Sequence, residues 1–264
     1  MLIAAIQLAV EDGCGRQDRL YMVDQILQEI SENGRKPDLI LLPEIWGCGF
    51  FDFDGYSEEA EESGGSTFQL LSGWAKKLNC YILGGSIIEK SGEKLHNTSL
   101  FIDPQGDFLG SYRKMHLFGF ESKEQQLLVR GEQVKVFETS FGKVGISTCY
   151  DLRFPEQYRE MVDRGAEILL IVSAWPEARL THWRLFNQTR ALENQCWLVS
   201  CNCAGVQCGS RYAGHSMTVS PAGEIAAEAG EEACVLWSEV DLSEVERMRN
   251  KFPALADRVP VCGK

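Results

Sequence analysis

The stretch GKVGISTCYDLRFPE, residues 142–156, restricts the possible folds of this chain more than any other segment. Residues 143–148 have the alternation of a strand, and Pro155 with Glu156 is typical of a helix's first turn. Cys149 therefore falls where a strand turns into a helix. Such a junction exposes a side chain and leaves the following backbone N–H groups free to stabilise an oxyanion. The pattern favours Cys149 as a nucleophile and the Tyr150 N–H as an oxyanion donor, although most cysteines at strand ends only pack in the core.

Strand and helix signals alternate along the chain, which favours an α/β sheet. Strands are predicted for residues 1–9, 37–44, 81–89, 96–102, 108–112, 143–148, 167–173, 196–203, 212–219 and 235–240. Helices are predicted for residues 18–30, 67–78, 155–164 and 181–194. The sequences DPQG and PAGE mark the turns at 103–106 and 221–224. Since no repeat, low-complexity tract or linker interrupts this order, we predict a single domain over residues 1–264.

The charge balance limits the partners that this chain can bind. A net charge of −12 argues against nucleic acid and against an anionic membrane surface, since both attract basic patches. The apolar first segment lacks a basic region and a cleavage site, and the run at 168–175 is too short to span a bilayer. We predict a cytoplasmic protein with no nucleic-acid partner and no membrane partner.

Ten cysteines are many for 264 residues, but a chain of this length does not need disulfides to fold. We predict that they are reduced. Cys196, Cys201, Cys203 and Cys208 raise the alternative of a metal-binding protein. They lack a Cys-x-x-Cys pair, and core packing explains them better, so no metal and no cofactor are predicted.

Two charged residues stand at strand ends, where a charge is costly unless it is paired or used. Glu44 ends an apolar strand, although a helix cap or a salt bridge would also explain it. Lys114 ends the hairpin among aromatic residues, where an ammonium could stabilise a developing negative charge; most lysines are merely solvated. The aromatic segment 45–56, which includes Phe50, could form the wall of a small pocket.

Three separated pieces carry a resemblance to a known family. Residues 42–44 (LPE), 112–118 (YRKMHLF) and 149–156 (CYDLRFPE) together resemble the nitrilase superfamily of carbon–nitrogen hydrolases. Residues 174–176, 179, 182–183, 190–194, 212–216 and 221–224 are similar to its ω-amidase branch, which hydrolyses ω-amides of dicarboxylic acids such as 2-oxoglutaramate. The resemblance implies an α/β fold, specifically a four-layer α-β-β-α sandwich, and a homodimer.

The resemblance also implies catalytic roles for individual residues. Glu44 matches the general base, Lys114 the oxyanion lysine and Cys149 the nucleophile. Counting back seven residues from Gly131 gives Glu124 as the second glutamate, with Glu121 as the alternative. The implied reaction cleaves a small linear amide to a carboxylate and ammonia through a cysteine thioester. In this mechanism the loss of Lys114 is expected to slow turnover and to leave the fold intact.

The other end of the substrate is predicted to contact Trp175, Arg179, Phe50 and His116, with Arg153 as a rival for the carboxylate. His116 also has a purely structural reading as a hydrogen-bonding residue. The tail 252–260 resembles the family but has Val259 where an arginine is often found. Nitrile, aliphatic-amide and N-carbamoyl hydrolysis remain alternatives, as do a catalytically silent binding protein and the metal-binding protein above.

Overall fold

Two six-stranded sheets organise residues 1–259, which are the residues that this computed structural model describes. In chain order the strands are β1 (Leu2–Gln7), β2 (Leu39–Leu41), β3 (Tyr81–Ser91), β4 (Lys94–Ile102), β5 (Phe108–Arg113), β6 (Lys135–Thr139), β7 (Gly142–Thr148), β8 (Ile168–Ser173), β9 (Trp197–Asn202), β10 (Val206–Gln207), β11 (Ser210–Arg211), β12 (Met217–Val219), β13 (Ile225–Glu228) and β14 (Cys234–Glu239). The first sheet has the order β14-β1-β2-β3-β4-β5 and the second has the order β13-β12-β9-β8-β7-β6. Strands β10 and β11 form a separate small ribbon.

The helices are α1 (Arg16–Glu32), α2 (Ser66–Leu78), α3 (Glu124–Leu127), α4 (Pro155–Asp163), α5 (Leu180–Asn194) and α6 (Ser243–Lys251). Helices α1 and α2 cover the outer face of the first sheet, and α4 and α5 cover that of the second. Short 3₁₀ turns occupy Cys149–Arg153 and Glu177–Arg179. None of the helices within residues 1–259 is both long enough and apolar enough to cross a bilayer.

Three buried apolar clusters define the layers. The first includes Val23 and Leu27 of α1 packed on Ile6 of β1. The second lies between the sheets and the third between the second sheet and helices α4 and α5. The order helix, sheet, sheet, helix confirms the predicted four-layer α-β-β-α sandwich. Strand β8 is buried along its whole length, which explains its unbroken apolar sequence.

The sequence misplaced several boundaries. Strand β2 ends at Leu41, three residues earlier than predicted, and Glu44 already donates its backbone N–H to the Ser173 carbonyl of the second sheet. The predicted strand 212–219 is only β12, because the segment before it folds against other loops: the Ala213 N–H donates to the Trp175 carbonyl. The turn at 221–224 leads into β13, which was not predicted, and not into β14.

The sequence analysis also did not predict strand β6 and helix α6. Only Val245 of α6 is buried, so this helix has almost no apolar period to detect. Pro260, the last residue of the tail compared above, lies outside the described residues. The single domain over residues 1–264 stays a prediction.

The sheet topology brings distant segments to one edge. Strands β7, β8 and β9 are parallel, so the residues that follow them emerge together. The Ser173 carbonyl at the end of β8 accepts hydrogen bonds from the Glu44 N–H (3.3 Å) and from the Cys203 N–H (3.0 Å). These bonds tie the end of the first sheet's central strand to the end of the second sheet's central strands. The edge where they meet carries the candidate site.

Candidate active site

A buried ammonium between two buried carboxylates lies at this edge. Lys114 Nζ is 2.8 Å from Glu44 Oε1 and 3.0 Å from both carboxylate oxygens of Glu124. All three side chains are fully buried. Burying charges is costly unless they are paired and hydrogen-bonded, so this arrangement requires further donors.

Those donors come from a neighbouring strand and from backbone. Asn97 Nδ2 on β4 donates to Glu44 Oε1 (2.8 Å) and to Glu124 Oε1 (3.0 Å). The Ala174 N–H donates to Glu44 Oε2 at 2.9 Å, and the Phe118 N–H donates to Glu124 Oε2 at 2.6 Å. Glu44 Oε1 and both oxygens of Glu124 therefore each accept two hydrogen bonds, whereas Glu44 Oε2 accepts one.

Cys149 occupies the predicted junction in a strained conformation. Its φ is +47°, in the left-handed region that non-glycine residues seldom adopt, and it opens the 3₁₀ turn that precedes α4. The Tyr150 N–H lies in the first turn of that element, where N–H groups have no partner within the helix. Asp151 braces the junction by accepting from the Thr148 N–H (2.9 Å) and from the Tyr112 hydroxyl (2.6 Å). The residue is 8% exposed and lines the cavity described below.

Electrostatics keep a proton on the thiol and on the ammonium. Burial raises the pKa of Cys149 and the Glu44 carboxylate raises it further, while the Lys114 ammonium acts in the opposite sense. Burial acts to lower the pKa of Lys114, but Glu124 and Glu44 outweigh it and hold that pKa above its usual value. Burial raises the pKa of Glu124, although Lys114 opposes this. A reaction at the sulfur therefore needs a base that removes the thiol proton.

A cavity of about 450 Å³ opens at Cys149. Its aromatic wall consists of Phe50, Phe51, Phe118, Phe120, Tyr150 and Trp175. Ala174 also lines it, whereas the Glu44 and Lys114 side chains lie just beneath its surface. The volume suits a small molecule, and the aromatic wall excludes water from the thiol.

Three arginines give the cavity a cationic side. The Arg153 guanidinium lies over the Trp175 ring at 4.9 Å, and the Arg179 guanidinium lies over the Phe118 ring at 5.5 Å. Arg211 Nε is 3.7 Å from Glu177 Oε2, and within residues 1–259 it is the one cavity arginine that forms an ion pair. Arg153 and Arg179 therefore present charge to the cavity that no carboxylate of the described chain neutralises.

The structure brings most of the predicted site residues together. Cys149, Tyr150, Phe50, Trp175 and Arg179 all line the cavity, and Arg153 joins them. Glu44, Lys114 and Glu124 form the buried cluster beneath it. Glu121, the alternative second glutamate, is exposed on the cavity rim and has no part in the cluster.

His116 does not line the cavity, so its predicted substrate contact needs correction. Its Nδ1 is 2.7 Å from Asp151 Oδ1, and its ring stacks on Phe154 with the centroids 3.8 Å apart. The residue therefore braces the turn that carries Cys149, as its structural reading implied.

Sequence reasoning missed Asn97 and the Ala174 N–H. Asn97 is a polar residue inside a buried strand, and such a residue needs partners that only long-range pairing can reveal. The backbone donor at Ala174 leaves no trace in the sequence.

The four cysteines of the metal-binding alternative do not share a site. The Cys196 Sγ lies 3.2 Å from the Ala166 carbonyl, Cys201 Sγ 3.2 Å from the Ile6 carbonyl and Cys203 Sγ 3.6 Å from the Glu44 carbonyl. Cys208 is exposed beside Asp12. Within residues 1–259 no three metal-ligating side chains come together.

The fold and its buried acid, ammonium and thiol define a class of enzymes that hydrolyse carbon–nitrogen bonds. Residues 2–250 match the carbon-nitrogen hydrolase family, and the chain belongs to that family. A 2-oxoglutaramate amidase of Bacillus subtilis is 36% identical over 228 residues, which cover 86% of this chain and 87% of the relative. A 2-oxoglutaramate amidase of Paenarthrobacter nicotinovorans is 33% identical over 264 residues, covering 97% of this chain and 88% of the relative.

A solved structure agrees with these sequence matches. Nit3 of Saccharomyces cerevisiae, described as a member of branch 10 of the nitrilase superfamily, superimposes with a TM-score of 0.87 at 29% identity. The superposition covers 96% of this chain and 94% of Nit3. The predicted membership of the nitrilase superfamily is confirmed.

Proposed function

We propose that this enzyme is an ω-amidase: it hydrolyses the terminal amide of a small dicarboxylate such as 2-oxoglutaramate to a carboxylate and ammonia. The observation that carries the proposal is the cavity that joins the Cys149 thiol to two guanidinium groups, those of Arg153 and Arg179, which form no ion pair within residues 1–259. A substrate with an amide at one end and a carboxylate at the other matches both. The two 2-oxoglutaramate amidases among the relatives support the same substrate class.

In the first half of the reaction Glu44 accepts the thiol proton while the sulfur attacks the amide carbon. The carbonyl π electrons move to oxygen, and the Tyr150 N–H and Lys114 Nζ stabilise the oxyanion. Nζ has three N–H bonds; Glu44 accepts one and the Glu124 carboxylate chelates a second, which leaves one for the oxyanion. As the intermediate collapses, the proton on Glu44 passes to the departing nitrogen, ammonia leaves and a thioester remains.

In the second half Glu44 removes a proton from water, and the hydroxide adds to the thioester carbon. The same donors stabilise the second oxyanion. The carbon–sulfur bond then breaks, the sulfur recovers its proton, and the carboxylate product leaves. Glu124 takes no proton in this scheme; its two oxygens hold Lys114 in position.

The test of this function is an ammonia-release panel with 2-oxoglutaramate, succinamate, a simple nitrile and an N-carbamoyl amino acid. We expect kcat/KM to be highest for the dicarboxylate monoamides. A neutral amide of the same length is the matched control for the carboxylate. Preference for the nitrile or for the N-carbamoyl compound would refute the ω-amidase assignment and leave the thiol chemistry intact.

We predict that Arg153→Ala and Arg179→Ala each raise KM for the monoamide. Losing a charge-assisted hydrogen bond typically costs about 1.5–3 kcal/mol, or about 10–100-fold in kcat/KM. The matched control is Arg211→Ala, because this arginine also lines the cavity but is paired with Glu177. Steady-state kinetics with the monoamide and with the neutral amide measure the difference.

The two arginines are separable in this experiment. If Arg179→Ala leaves KM unchanged while Arg153→Ala raises it, the carboxylate binds beside the nucleophile and the predicted role of Arg179 is wrong. If neither variant discriminates between the charged and the neutral amide, the cavity does not recognise a carboxylate.

The homodimer remains a proposal as well. Helix α5 exposes Leu185 (58%) and Leu192 (50%), which are seven residues apart and therefore share one helical face. An exposed apolar face of this kind supports an interface between two copies. The cytoplasmic location stays a prediction from the reading of the two apolar segments, and the absence of a nucleic-acid partner stays a prediction from the charge balance.

A further inference from the structure

Asn97 lies in the centre of the buried charge cluster and has no role in the reaction described above. We propose that Asn97 is a positioning residue that, together with Lys114, occupies Oε1 of Glu44 and so makes Oε2 the oxygen that accepts the Cys149 proton. The inference rests on the proposed thiol chemistry and names how its base is oriented.

Four atoms form the core of this arrangement. The donors Lys114 Nζ and Asn97 Nδ2 alternate with the acceptors Glu44 Oε1 and Glu124 Oε1, at distances between 2.8 and 3.0 Å. Two carboxylates this close repel each other unless donors lie between them. One ammonium supplies a charge, and the Asn97 amide supplies the second bridge without adding another charge.

The backbone of Asn97 fixes the same geometry. The Lys114 N–H donates to the Asn97 carbonyl at 2.9 Å, so the two residues face each other across β4 and the end of β5. The strand register therefore places the amide and the ammonium on the same side, toward the two glutamates. A residue at position 97 can reach both carboxylates without any loop movement.

The side-chain amide of Asn97 is buried with one of its polar atoms unpartnered among the described residues, which destabilises the fold. Asn97 is 1% exposed, and its Oδ1 has no hydrogen-bond partner within residues 1–259. A buried unsatisfied acceptor is destabilising, and an apolar residue of the same size would avoid it. The donor Nδ2, which bonds to both carboxylates, offsets this cost at position 97.

The two oxygens of Glu44 differ in the number of donors that they contact, and this difference determines which oxygen can accept the proton. Oε1 accepts from two side chains and its acceptor capacity is used. Oε2 accepts only the Ala174 N–H among the described residues, and Ala174 lines the cavity beside Cys149. In the acylation step the S–H bond breaks, the proton forms a bond with Oε2, and the sulfur electron pair forms the bond to the amide carbon.

The test uses Asn97→Leu, which keeps the branching of the side chain and removes the donor. Without this hydrogen bond the carboxylates take up a proton more readily, so the acidic limb of the kcat/KM profile moves to higher pH, by about one unit. Asn97→Asp places a third carboxylate in the cluster and moves the limb further. The same limb is measured from the rate at which iodoacetamide alkylates Cys149, followed by mass spectrometry of the Cys149 peptide.

The matched control is Asn187→Leu. Asn187 is also a fully buried amide, but its Nδ2 donates to the Trp183 carbonyl within α5 and it lies outside the cluster. We expect a lower melting temperature for this variant and an unchanged acidic limb.

The outcomes separate the two proposals. If Asn97→Leu and Asn97→Asp lower the activity but leave the acidic limb of the kcat/KM profile unchanged, Asn97 is merely structural and the inference is overturned. If Asn97→Leu does not fold, the acidic limb of Asn97→Asp decides between the two roles. If the wild-type enzyme hydrolyses none of the amides, the ω-amidase function fails. The alkylation profile still tests Asn97 in that case, because it requires no substrate.

Discussion

Cys149→Ala is expected to abolish ammonia release, lowering kcat by about 10⁴-fold or more, as the loss of a catalytic nucleophile does in other hydrolases. Within residues 1–259 no other cysteine lines the cavity. Cys203, whose Sγ lies 3.6 Å from the Glu44 carbonyl, is fully buried and does not line the cavity, and burial raises the pKa of its thiol well above the usual value. The backbone strain at φ +47° is the same for alanine, so the fold should keep its stability to within about 1 kcal/mol.

Cys201→Ala is the matched control for this prediction. Its thiol is buried between the sheets and lies 3.2 Å from the Ile6 carbonyl, away from the cavity. We expect activity within a few-fold of the wild type, and circular dichroism and thermal melts should show that both variants are folded. Near-normal turnover in Cys149→Ala would contradict the thioester mechanism outright.

The sequence could predict Glu44, Lys114 and Cys149 because the three segments that carry them resemble the nitrilase superfamily. Each of the three also follows a strand: Lys114 and Cys149 come directly after β5 and β7, and Glu44 lies three residues after the end of β2. The parallel order of the central strands then brings such ends to one edge. The fully apolar runs predicted strands that are buried on both faces, whereas the four-layer packing was implied by the resemblance to the nitrilase superfamily.

The site features that could not be predicted depend on hydrogen bonds between residues that are far apart in the sequence. Asn97 contacts residues 53 and 27 positions away, and the Ala174 N–H contacts a carboxylate 130 positions away. His116 could be assigned to the substrate or to the scaffold until its bond to Asp151 was visible. Short or charged elements such as β6 and α6 have too little apolar period to be recognised.

The structure also changes the expectation for Lys114. A lysine judged only as an oxyanion donor could be removed with no effect on the fold. Here its ammonium is the sole cation, among the described residues, that bonds to Glu44 and Glu124, and all three groups are buried. Removing one partner of a buried ionic cluster leaves charge uncompensated, which typically costs about 3–5 kcal/mol. The expectation of an intact fold is therefore replaced by one of marked destabilisation.

Lys114→Met is expected to lose about 10²–10³-fold in kcat as an oxyanion donor disappears, and to lose about 3–5 kcal/mol of stability in urea titrations. The deficit should grow as the pH rises. Burial already raises the pKa of Glu124, and without the ammonium the carboxyl is favoured in its neutral form, so stability falls as the pH passes through that raised pKa.

The double variant Lys114→Met/Glu124→Gln separates the two roles. It removes one of the two buried carboxylates that lose their cation and keeps the size of both side chains, so part of the lost stability should return. Turnover should not return, because the third N–H of Nζ is still missing. Recovery of turnover along with stability in the double variant would show that Lys114 serves only to neutralise the two carboxylates. If Lys114→Met alone were as stable as the wild type at pH 8, the stability of the cluster would not depend on the charge of Lys114.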